Sequence, residues 1–211
     1  MRIFKITAIM IIIALSTIQG AYAQRKLNIG IVGGLDIANL SSSPSSNTSS
    51  LVGFTGGGIL ETFENEHVSF EFGLLYAQKG AEATAGANYE KITIGYVDIP
   101  FHLRIGFPND NFSPHLFFGP EVGIQTGADA ELRYTSGSNT INISGDISKN
   151  IETLNFSLNF GGGMDIFLNE QSTLLLDLRY SLGITNIAKN SNNSSIKTSD
   201  FQIMTGVKFS L

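Results

Sequence analysis

Eight stretches of alternating apolar and polar side chains predict an all-β fold, an eight-stranded antiparallel up-and-down transmembrane β-barrel. The segments between the stretches alternate between long and short, and membrane barrels combine short periplasmic turns with long extracellular loops. In each stretch one face is apolar, whereas the charged residues lie on the other face. Because a soluble barrel would carry its charges outside, this distribution indicates a lipid-facing exterior and a polar lumen.

Residues 1–23 have the pattern of a secretory signal peptide. Arg2 and Lys5 supply positive charge, residues 6–18 form an apolar run, and Ala21-Tyr22-Ala23 provides a cleavage site between small residues. The apolar run is shorter than the ~20 residues of a spanning helix, so an N-terminal membrane anchor is only the alternative interpretation. We therefore predict that residues 1–23 are removed on export and that residues 24–211 form one outer-membrane β-barrel domain.

Composition excludes several classes of function. The chain has no cysteine, so neither disulfides nor thiolate metal sites are available. The formal net charge is −5, and removal of Arg2 and Lys5 with the signal peptide makes the remaining chain more acidic. The sequence has no run of basic residues that would bind the phosphates of a nucleic acid, so nucleic acid is not a predicted partner. Glycine accounts for 23 of 211 residues, which suits crowded, curved strands.

The first three predicted strands follow the cleavage site. Residues 27–37 alternate with period 2 and predict the first strand. The Ser/Asn-rich residues 38–50 predict a loop, because they contain almost no apolar side chain that could be buried. Residues 51–63 predict the second strand, residues 64–67 a tight polar turn, and residues 68–77 the third strand.

The fourth predicted strand, residues 89–107, follows a predicted polar loop over residues 80–88. Its apolar side chains change phase along the strand. Ile92 and Ile94 are the apolar residues at its start, whereas odd-numbered residues are apolar further on. One extra residue near Gly95 would produce this change, so we predict a β-bulge there.

The fifth predicted strand, residues 115–125, follows a turn over residues 108–113 and contains Pro120. Apolar and polar residues alternate along it. Proline cannot donate a hydrogen bond to a neighbouring strand. If this strand belongs to a closed sheet, we therefore expect a bulge that accommodates Pro120.

The rest of the chain contains the largest predicted loop and three further strands. The loop covers residues 126–153, although residues 131–134 and 140–147 have patterns that could prolong the flanking strands as a hairpin beyond the membrane. The remaining segments are a strand at 154–166, a turn at 169–172, a strand at 174–184, a loop at 186–199 and a strand at 201–211.

Three stretches resemble the PorT-type family of Gram-negative outer-membrane β-barrels. They are Tyr96-Val97-Asp98-Ile99-Pro100, Leu116-Phe117-Phe118-Gly119-Pro120-Glu121-Val122-Gly123 and Leu176-Asp177-Leu178-Arg179-Tyr180-Ser181-Leu182-Gly183-Ile184-Thr185-Asn186-Ile187. The closing Gly206-Val207-Lys208-Phe209-Ser210-Leu211 resembles the last strand of the same family. The resemblance covers essentially the whole chain after residue 23. It implies an eight-stranded, OmpA/OmpX-like barrel and, as in the founding members, a part in protein secretion or gliding machinery.

Charged residues on the mixed faces are predicted to meet inside the barrel. An eight-stranded barrel has room for little more than its own side chains, and an unpaired buried charge is costly. We therefore predict a structural ion-pair network that fills the lumen and makes an open pore unfavourable. Its predicted members are Glu71, Asp98, Arg104, Glu121, Asp165, Asp177, Arg179 and Lys208.

The three histidines do not form a recognisable catalytic or metal-binding pattern. His67 falls in a predicted turn, where a solvated side chain is the simpler interpretation. His102 lies four residues from Asp98 on one strand, a separation of ~13 Å at ~3.3 Å per residue. His115 has no partner in its own strand. We predict no catalytic residue, no metal site and no cofactor.

The predicted function is that of a non-enzymatic interaction or assembly component of the cell envelope. Its predicted partners are outer-membrane lipid and other envelope proteins. The envelope proteins are predicted to bind through the loops at 38–50, 80–88, 126–153 and 186–199. A small outer-membrane enzyme is one alternative, and it predicts a polar cluster at one rim that includes His102 or His115. A soluble lipocalin-like ligand-binding barrel is another. It predicts that an internal cavity is lined by Leu174, Leu176, Leu178 and Tyr180.

Overall fold

The computed structural model describes residues 27–43, 49–86, 88–136, 139–189 and 195–211. The predicted signal peptide, residues 1–23, lies outside the described residues. A turn of 3₁₀ helix, Ser148–Asn150, precedes the seventh strand. The strands of the described chain are β1 (Leu27–Ser43), β2 (Ser49–Phe63), β3 (Val68–Ala85), β4 (Asn88–Gly106), β5 (Phe112–Ser136), β6 (Asn139–Asp146), β7 (Leu154–Phe167), β8 (Ser172–Gly183) and β9 (Ser195–Ser210).

Eight of the strands close into an antiparallel ring. Each strand from β1 to β5 pairs with the next, β5 pairs with β7, and β8 and β9 complete the ring back to β1. β6 pairs with the last part of β5 and stands outside the ring as a hairpin. The predicted eight-stranded antiparallel barrel is therefore confirmed. No helix among the described residues is long and apolar enough to span a membrane.

The outer surface of the ring is apolar, whereas the inner surface carries charged and polar side chains beside two buried apolar clusters. In β8, Leu176 and Leu178 are 41% and 51% exposed, whereas their neighbours Asp177 and Arg179 are buried. Leu174 and Tyr180 share the outer face with Leu176 and Leu178 because they have the same parity. The lipocalin-like alternative, in which those four side chains line a cavity, is therefore wrong.

A charge on this outer surface tests whether it faces lipid. Leu178→Lys is expected to lower the unfolding free energy in lipid vesicles by ~2–4 kcal/mol, because a lysine near the bilayer midplane loses its hydration. The matched control is Leu132→Lys in β5, which introduces the same side chain at an exposed leucine beyond the ring. Urea titration of both variants measures the difference. Equal midpoints for the two variants would argue against a lipid-facing outer surface.

The two ends of the barrel differ in construction. At one end, here called the turn end, short connections join β2 to β3, β4 to β5 and β7 to β8. The turn predicted at residues 64–67 lies here. At the other end, here called the hairpin end, several strands continue past the ring. In outer-membrane barrels the short turns lie in the periplasm and the longer connections lie outside the cell.

The predicted loops at the hairpin end are largely β-structure, so those predictions are wrong in extent. β1 continues through Ser43 and pairs with β9, which begins at Ser195, and β3 continues to Ala85. Gly86, with a φ of 63°, begins the short connection to β4. The predicted hairpin within residues 126–153 is present as β5 and β6. Residues 44–48, 87, 137–138 and 190–194 of these predicted loops lie outside the described residues.

An apolar cluster inside the hairpin end explains why these polar segments form strands. Strand pairing brings together side chains that are far apart in the sequence, and their burial stabilises the extended sheet. The cluster consists of Leu40, Ala81, Ile94, Tyr96, Ala128, Ile151 and Ile187. It also closes the hairpin end of the lumen with apolar side chains.

The irregularity predicted near Gly95 is present, but the extra residue lies on the neighbouring strand. β4 keeps one register along β3. Against β5, Gly95 is opposite Gly127 and Tyr96 is opposite Gln125, so Thr126 is the additional residue. Ile94 lies on the same inner face as Tyr96, so the strand does not change phase. What changes along β4 is the position of its apolar side chains, from inside the hairpin end to the outer surface.

Pro120 does not require the predicted bulge. β5 runs in one register along β7 through the pair of Pro120 and Leu158. Against β4, the pairs on either side of Pro120 also share one register. In an antiparallel sheet each N–H points to only one neighbouring strand, so the missing donor interrupts the pairing with β4 locally and leaves the pairing with β7 intact. The expectation of a bulge here is therefore wrong.

Candidate functional site

Two groups of ion pairs occupy the lumen, one nearer each end of the barrel. The lower cluster lies toward the turn end and is centred on Arg104. The upper cluster lies toward the hairpin end and is centred on Lys79. The members of both clusters point inward because they fall at alternate positions of their strands, opposite the lipid-facing side chains.

In the lower cluster, the Arg104 guanidinium contacts three carboxylates. It donates to Glu71, its Nε lies 3.3 Å from Glu61 Oε1, and its Nη2 lies 3.3 Å from Asp165 Oδ2. Lys208 Nζ is 2.7 Å from Glu61 Oε2 and 2.7 Å from Asp165 Oδ2. Two cations therefore share three acids, and all five side chains are almost fully buried.

The histidines predicted from sequence to lack partners are connected by the fold. His115 Nε2 lies 2.7 Å from Asp177 Oδ1 and 2.9 Å from Arg104 Nη2. His102 Nδ1 lies 3.1 Å from Glu71 Oε1. Both rings are buried, at 0% exposure for His102 and 4% for His115. They belong to the interior network and do not lie at a solvent-accessible rim.

Asn159 joins the two clusters. Its Nδ2 donates to Glu121 Oε2 at 2.7 Å and lies 3.2 Å from His102 Nε2. Glu121 belongs to the upper cluster, and His102 contacts Glu71 of the lower one. The polar network is therefore continuous along the lumen.

The upper cluster contains more acids than bases. Lys79 Nζ lies 2.9 Å from Asp98 Oδ2, 3.2 Å from Glu121 Oε1 and 3.4 Å from Asp200 Oδ2. Asp36 joins through Gln202, whose amide donates to Asp36 Oδ2 at 2.9 Å and to Asp200 Oδ2 at 3.3 Å. A single ammonium group thus contacts three carboxylates, and Gln202 links the fourth, Asp36, to Asp200.

Arg179 lies between the clusters with weaker contacts. Its Nη2 is 3.8 Å from Glu71 Oε1, and its guanidinium carbon lies 5.6 Å from the centre of the Phe117 ring. An arginine over an aromatic face gains a cation–π interaction that is stronger when water is excluded. Arg179 therefore adds positive charge at mid-lumen through an ion pair that is longer than those of Arg104 and Lys79.

All eight residues proposed from sequence for the lumen are buried there, and each takes part in an ion pair or charged contact. Sequence reasoning did not include Lys79, Glu61, Asp36, Asp200, His102 or His115 in this network. Lys79 lies just beyond the predicted end of the third strand, but Ala77, Lys79 and Ala81 continue the inward phase of that strand. Extending the period-2 pattern would have found it.

The turn end opens into a cavity of about 690 Å³. Asp165 and Lys208 of the lower cluster lie at its inner side. Its rim carries the carboxylates of Glu64, Glu66, Asp110 and Glu170. Among the described residues no group of three or more histidine or acidic side chains is arranged to hold a metal ion.

The hairpin of β5 and β6 forms a platform outside the ring. One face carries an apolar cross-strand ladder, in which Leu132 is opposite Ile143 and Tyr134 is opposite Ile141. These four side chains are 43%, 59%, 57% and 56% exposed, in the same order. Every residue of β6 is exposed. This is a cluster of large apolar side chains in a part of the chain that is not within the lipid-facing ring.

The other face of the hairpin is polar. Asp129 is directly opposite Asp146, and Arg133 Nε donates to Asn142 Oδ1 at 3.3 Å. Hydrogen bonds from the Ser148 side chain and backbone hold the pKa of Asp146 below its usual range, and the backbone bond measures 2.7 Å. Asp146 therefore stays charged at neutral pH and fixes the start of the 3₁₀ turn that follows β6.

Comparison with known proteins identifies relatives by fold. Residues 19–189 match the family described as outer membrane protein beta-barrel domain. The structure of Neisserial surface protein A (NspA) is similar with a TM-score of 0.52 at 14% identity, over 89% of this chain and 99% of that chain. Outer membrane protein OprG from Pseudomonas aeruginosa gives a TM-score of 0.49 at 13% identity, over 92% and 98%. No curated protein matches the chain.

Proposed function

Because this chain belongs to the outer membrane protein β-barrel domain family, we propose that it is a non-enzymatic interaction or assembly component of the cell envelope. In this proposal the barrel is the membrane anchor. The contacts with other envelope proteins are made at the hairpin end, outside the lipid. The chain is exported to the outer membrane of a Gram-negative cell after removal of residues 1–23.

The exposed ladder on the β5–β6 hairpin is the observation that carries this proposal. Apolar side chains on the ring are accounted for by lipid, but Leu132, Tyr134, Ile141 and Ile143 lie on a hairpin that projects from the ring. Contiguous exposed apolar side chains outside a membrane commonly mark protein interaction sites. The ladder therefore supports a protein partner at this end.

The construction of the lumen favours an anchor over a channel. The two ion-pair clusters fill the middle of the barrel, and the apolar cluster fills its hairpin end. An eight-stranded barrel leaves room for side chains and little else. These features support a closed barrel whose activity resides outside the lumen.

The environment of the two lumen histidines supports the proposal of a non-enzymatic role. His102 and His115 are buried and engaged with carboxylates, so substrate at either rim would not reach them in this arrangement. The PorT-type resemblance supports the finer proposal that the partner belongs to secretion or gliding machinery.

Site-specific photo-crosslinking in intact cells tests the proposed function. A photoreactive residue at Ile141 in β6 is expected to form a discrete adduct with another envelope protein. The matched controls place the same residue at Leu178 on the lipid-facing surface and at Glu66 in the turn end, where that adduct is not expected. Failure to form a protein adduct from Ile141 or any other hairpin-end position would contradict the proposal.

A further inference from the structure

We propose that the open edge of β6 binds an extended peptide segment of a partner protein by strand addition, and that this segment has apolar residues at alternate positions and a basic residue next to Asp146. The proposal deepens the proposed function, on which it rests, by assigning the edge of the sheet as the binding site and by defining the chemistry of the partner. Three features of the hairpin carry it.

The first feature is an unprotected strand edge. Among the described residues β6 pairs only with β5, so the backbone N–H and C=O groups along its other edge are not used by the sheet. Edge strands usually carry lysine, proline or inward-facing charge, which prevent pairing with other chains. The sequence of β6, Asn139 to Asp146, contains neither lysine nor proline, and its one charge is at the end. This edge can therefore accept a further strand.

The second feature is the apolar ladder. Ile141 and Ile143 form its outermost row, beside Tyr134 and Leu132 of β5. An added strand would place alternate side chains beside Ile141 and Ile143 and extend the ladder by one row. Apolar cross-strand neighbours stabilise a sheet, so the partner segment should carry apolar residues at every second position.

The third feature is the acidic pair on the opposite face. Asp129 and Asp146 are directly opposite each other, and like charges in this arrangement destabilise a sheet. Asp129 is opposite Thr93 on its other side, so β4 supplies no basic side chain at that position. A lysine or arginine in the added strand, next to Asp146, would offset the repulsion. The position of the partner segment next to Asp146 should therefore be basic.

A second copy of this chain is a poorer occupant of the edge. Copies inserted in one membrane share the same orientation, so a twofold axis that relates them lies along the membrane normal. Such an axis cannot bring two strands that point away from the membrane into antiparallel edge-to-edge pairing. A segment of another protein has no such restriction.

Peptide binding to the full-length protein in detergent tests the proposal. The probe is a fluorescent synthetic peptide of alternating valine and lysine, with the length of β6, 8 residues. Fluorescence anisotropy is expected to show saturable binding. The same peptide with every backbone amide N-methylated is expected to bind roughly tenfold more weakly or worse, because neither of its edges can then donate main-chain hydrogen bonds to β6. A peptide with glutamate in place of lysine is also expected to bind more weakly.

Two variants locate the peptide on the protein. Ile143→Lys is expected to weaken binding by about tenfold or more, because it places a charge in the apolar row and repels the basic peptide. Thr84→Lys adds the same charge to another exposed position at the hairpin end, and binding to it should change by about twofold or less. Heat-modified gel mobility confirms that both variants are folded.

The outcomes separate this proposal from the proposed function. Absence of saturable binding, equal binding of the N-methylated peptide, or equal effects of the two lysine variants would overturn strand addition. If Ile141 still forms an adduct in cells, the interaction function stands and only its mode is wrong. Self-association of the protein that the peptide disrupts would make a second copy the occupant and would also overturn the proposal.

Discussion

Arg104→Met is expected to lower the unfolding free energy of the barrel by about 3–5 kcal/mol, the cost typical of removing one partner from a buried ion pair. The substitution removes the guanidinium that contacts Glu61, Glu71 and Asp165. Lys208 still contacts Glu61 and Asp165, but Glu71 loses its closest cation. Urea unfolding in lipid vesicles, followed by gel mobility of the unheated protein, measures the change.

The matched control for this variant is Arg133→Met. Arg133 is exposed on the hairpin and hydrogen-bonds to Asn142, so its replacement should change the unfolding free energy by ~1 kcal/mol or less. Adding Glu71→Gln to Arg104→Met should recover part of the stability, because it removes the carboxylate left without its cation. Equal stability of the Arg104 and Arg133 variants would show that the lower cluster does not hold the barrel together.

Lys79→Met is the second substitution expected to have a large effect, again about 3–5 kcal/mol. It leaves Asp98, Glu121 and Asp200 close together without the ammonium group that they share. The carboxylates then repel one another in a site that is shielded from water. The effect should appear both in the urea midpoint and in the yield of folded protein after refolding into lipid.

Lys91→Met is the control for Lys79→Met, because Lys91 lies on β4 at the hairpin end and is not buried. Its replacement should leave the urea midpoint nearly unchanged. Combining Lys79→Met with Asp200→Asn should restore part of the lost stability by removing one negative charge. If neutralising Asp200 made the Lys79 variant less stable still, repulsion among the acids would not be the cause of its instability.

The closed part of the barrel was predictable from sequence because period-2 alternation is strong where one face meets lipid and the other meets a polar lumen. Leu174 to Leu182 in β8 illustrate this, since each apolar side chain is followed by one that points inward. The same alternation gave the inward phase of Arg104, Arg179 and Lys208. Burial on one face and polarity on the other leave a clear pattern in a single strand.

The strands beyond the lipid were not predictable in the same way. Residues such as Ser41 in β1 and Thr198 in β9 are polar in a polar stretch, so neither face has a continuous apolar pattern. Their strand structure depends on pairing between distant segments and on the apolar cluster that includes Leu40 and Ile187. Those contacts join residues that are far apart in the sequence.

The ion pairs inside the lumen likewise could not be predicted from the sequence of any single strand. The carboxylates that contact His102 and His115 come from other strands, Glu71 from β3 and Asp177 from β8. Lys79 and Asp200 meet although they belong to β3 and β9. The register shift at Gly95 has the same origin, since Thr126 on β5 is the extra residue. The alternation within one strand determines which charged side chains face inward. The closure of the ring determines which of them contact one another.

Gel mobility of the membrane-extracted protein, with and without boiling, tests most directly whether the chain is an integral, closed barrel. Detergent-resistant barrels stay folded until heated, so the unboiled protein is expected to run faster than the boiled protein and to remain in the membrane after a carbonate wash. Release by carbonate together with the same mobility in both samples would contradict the lipid-facing assignment of the outer surface.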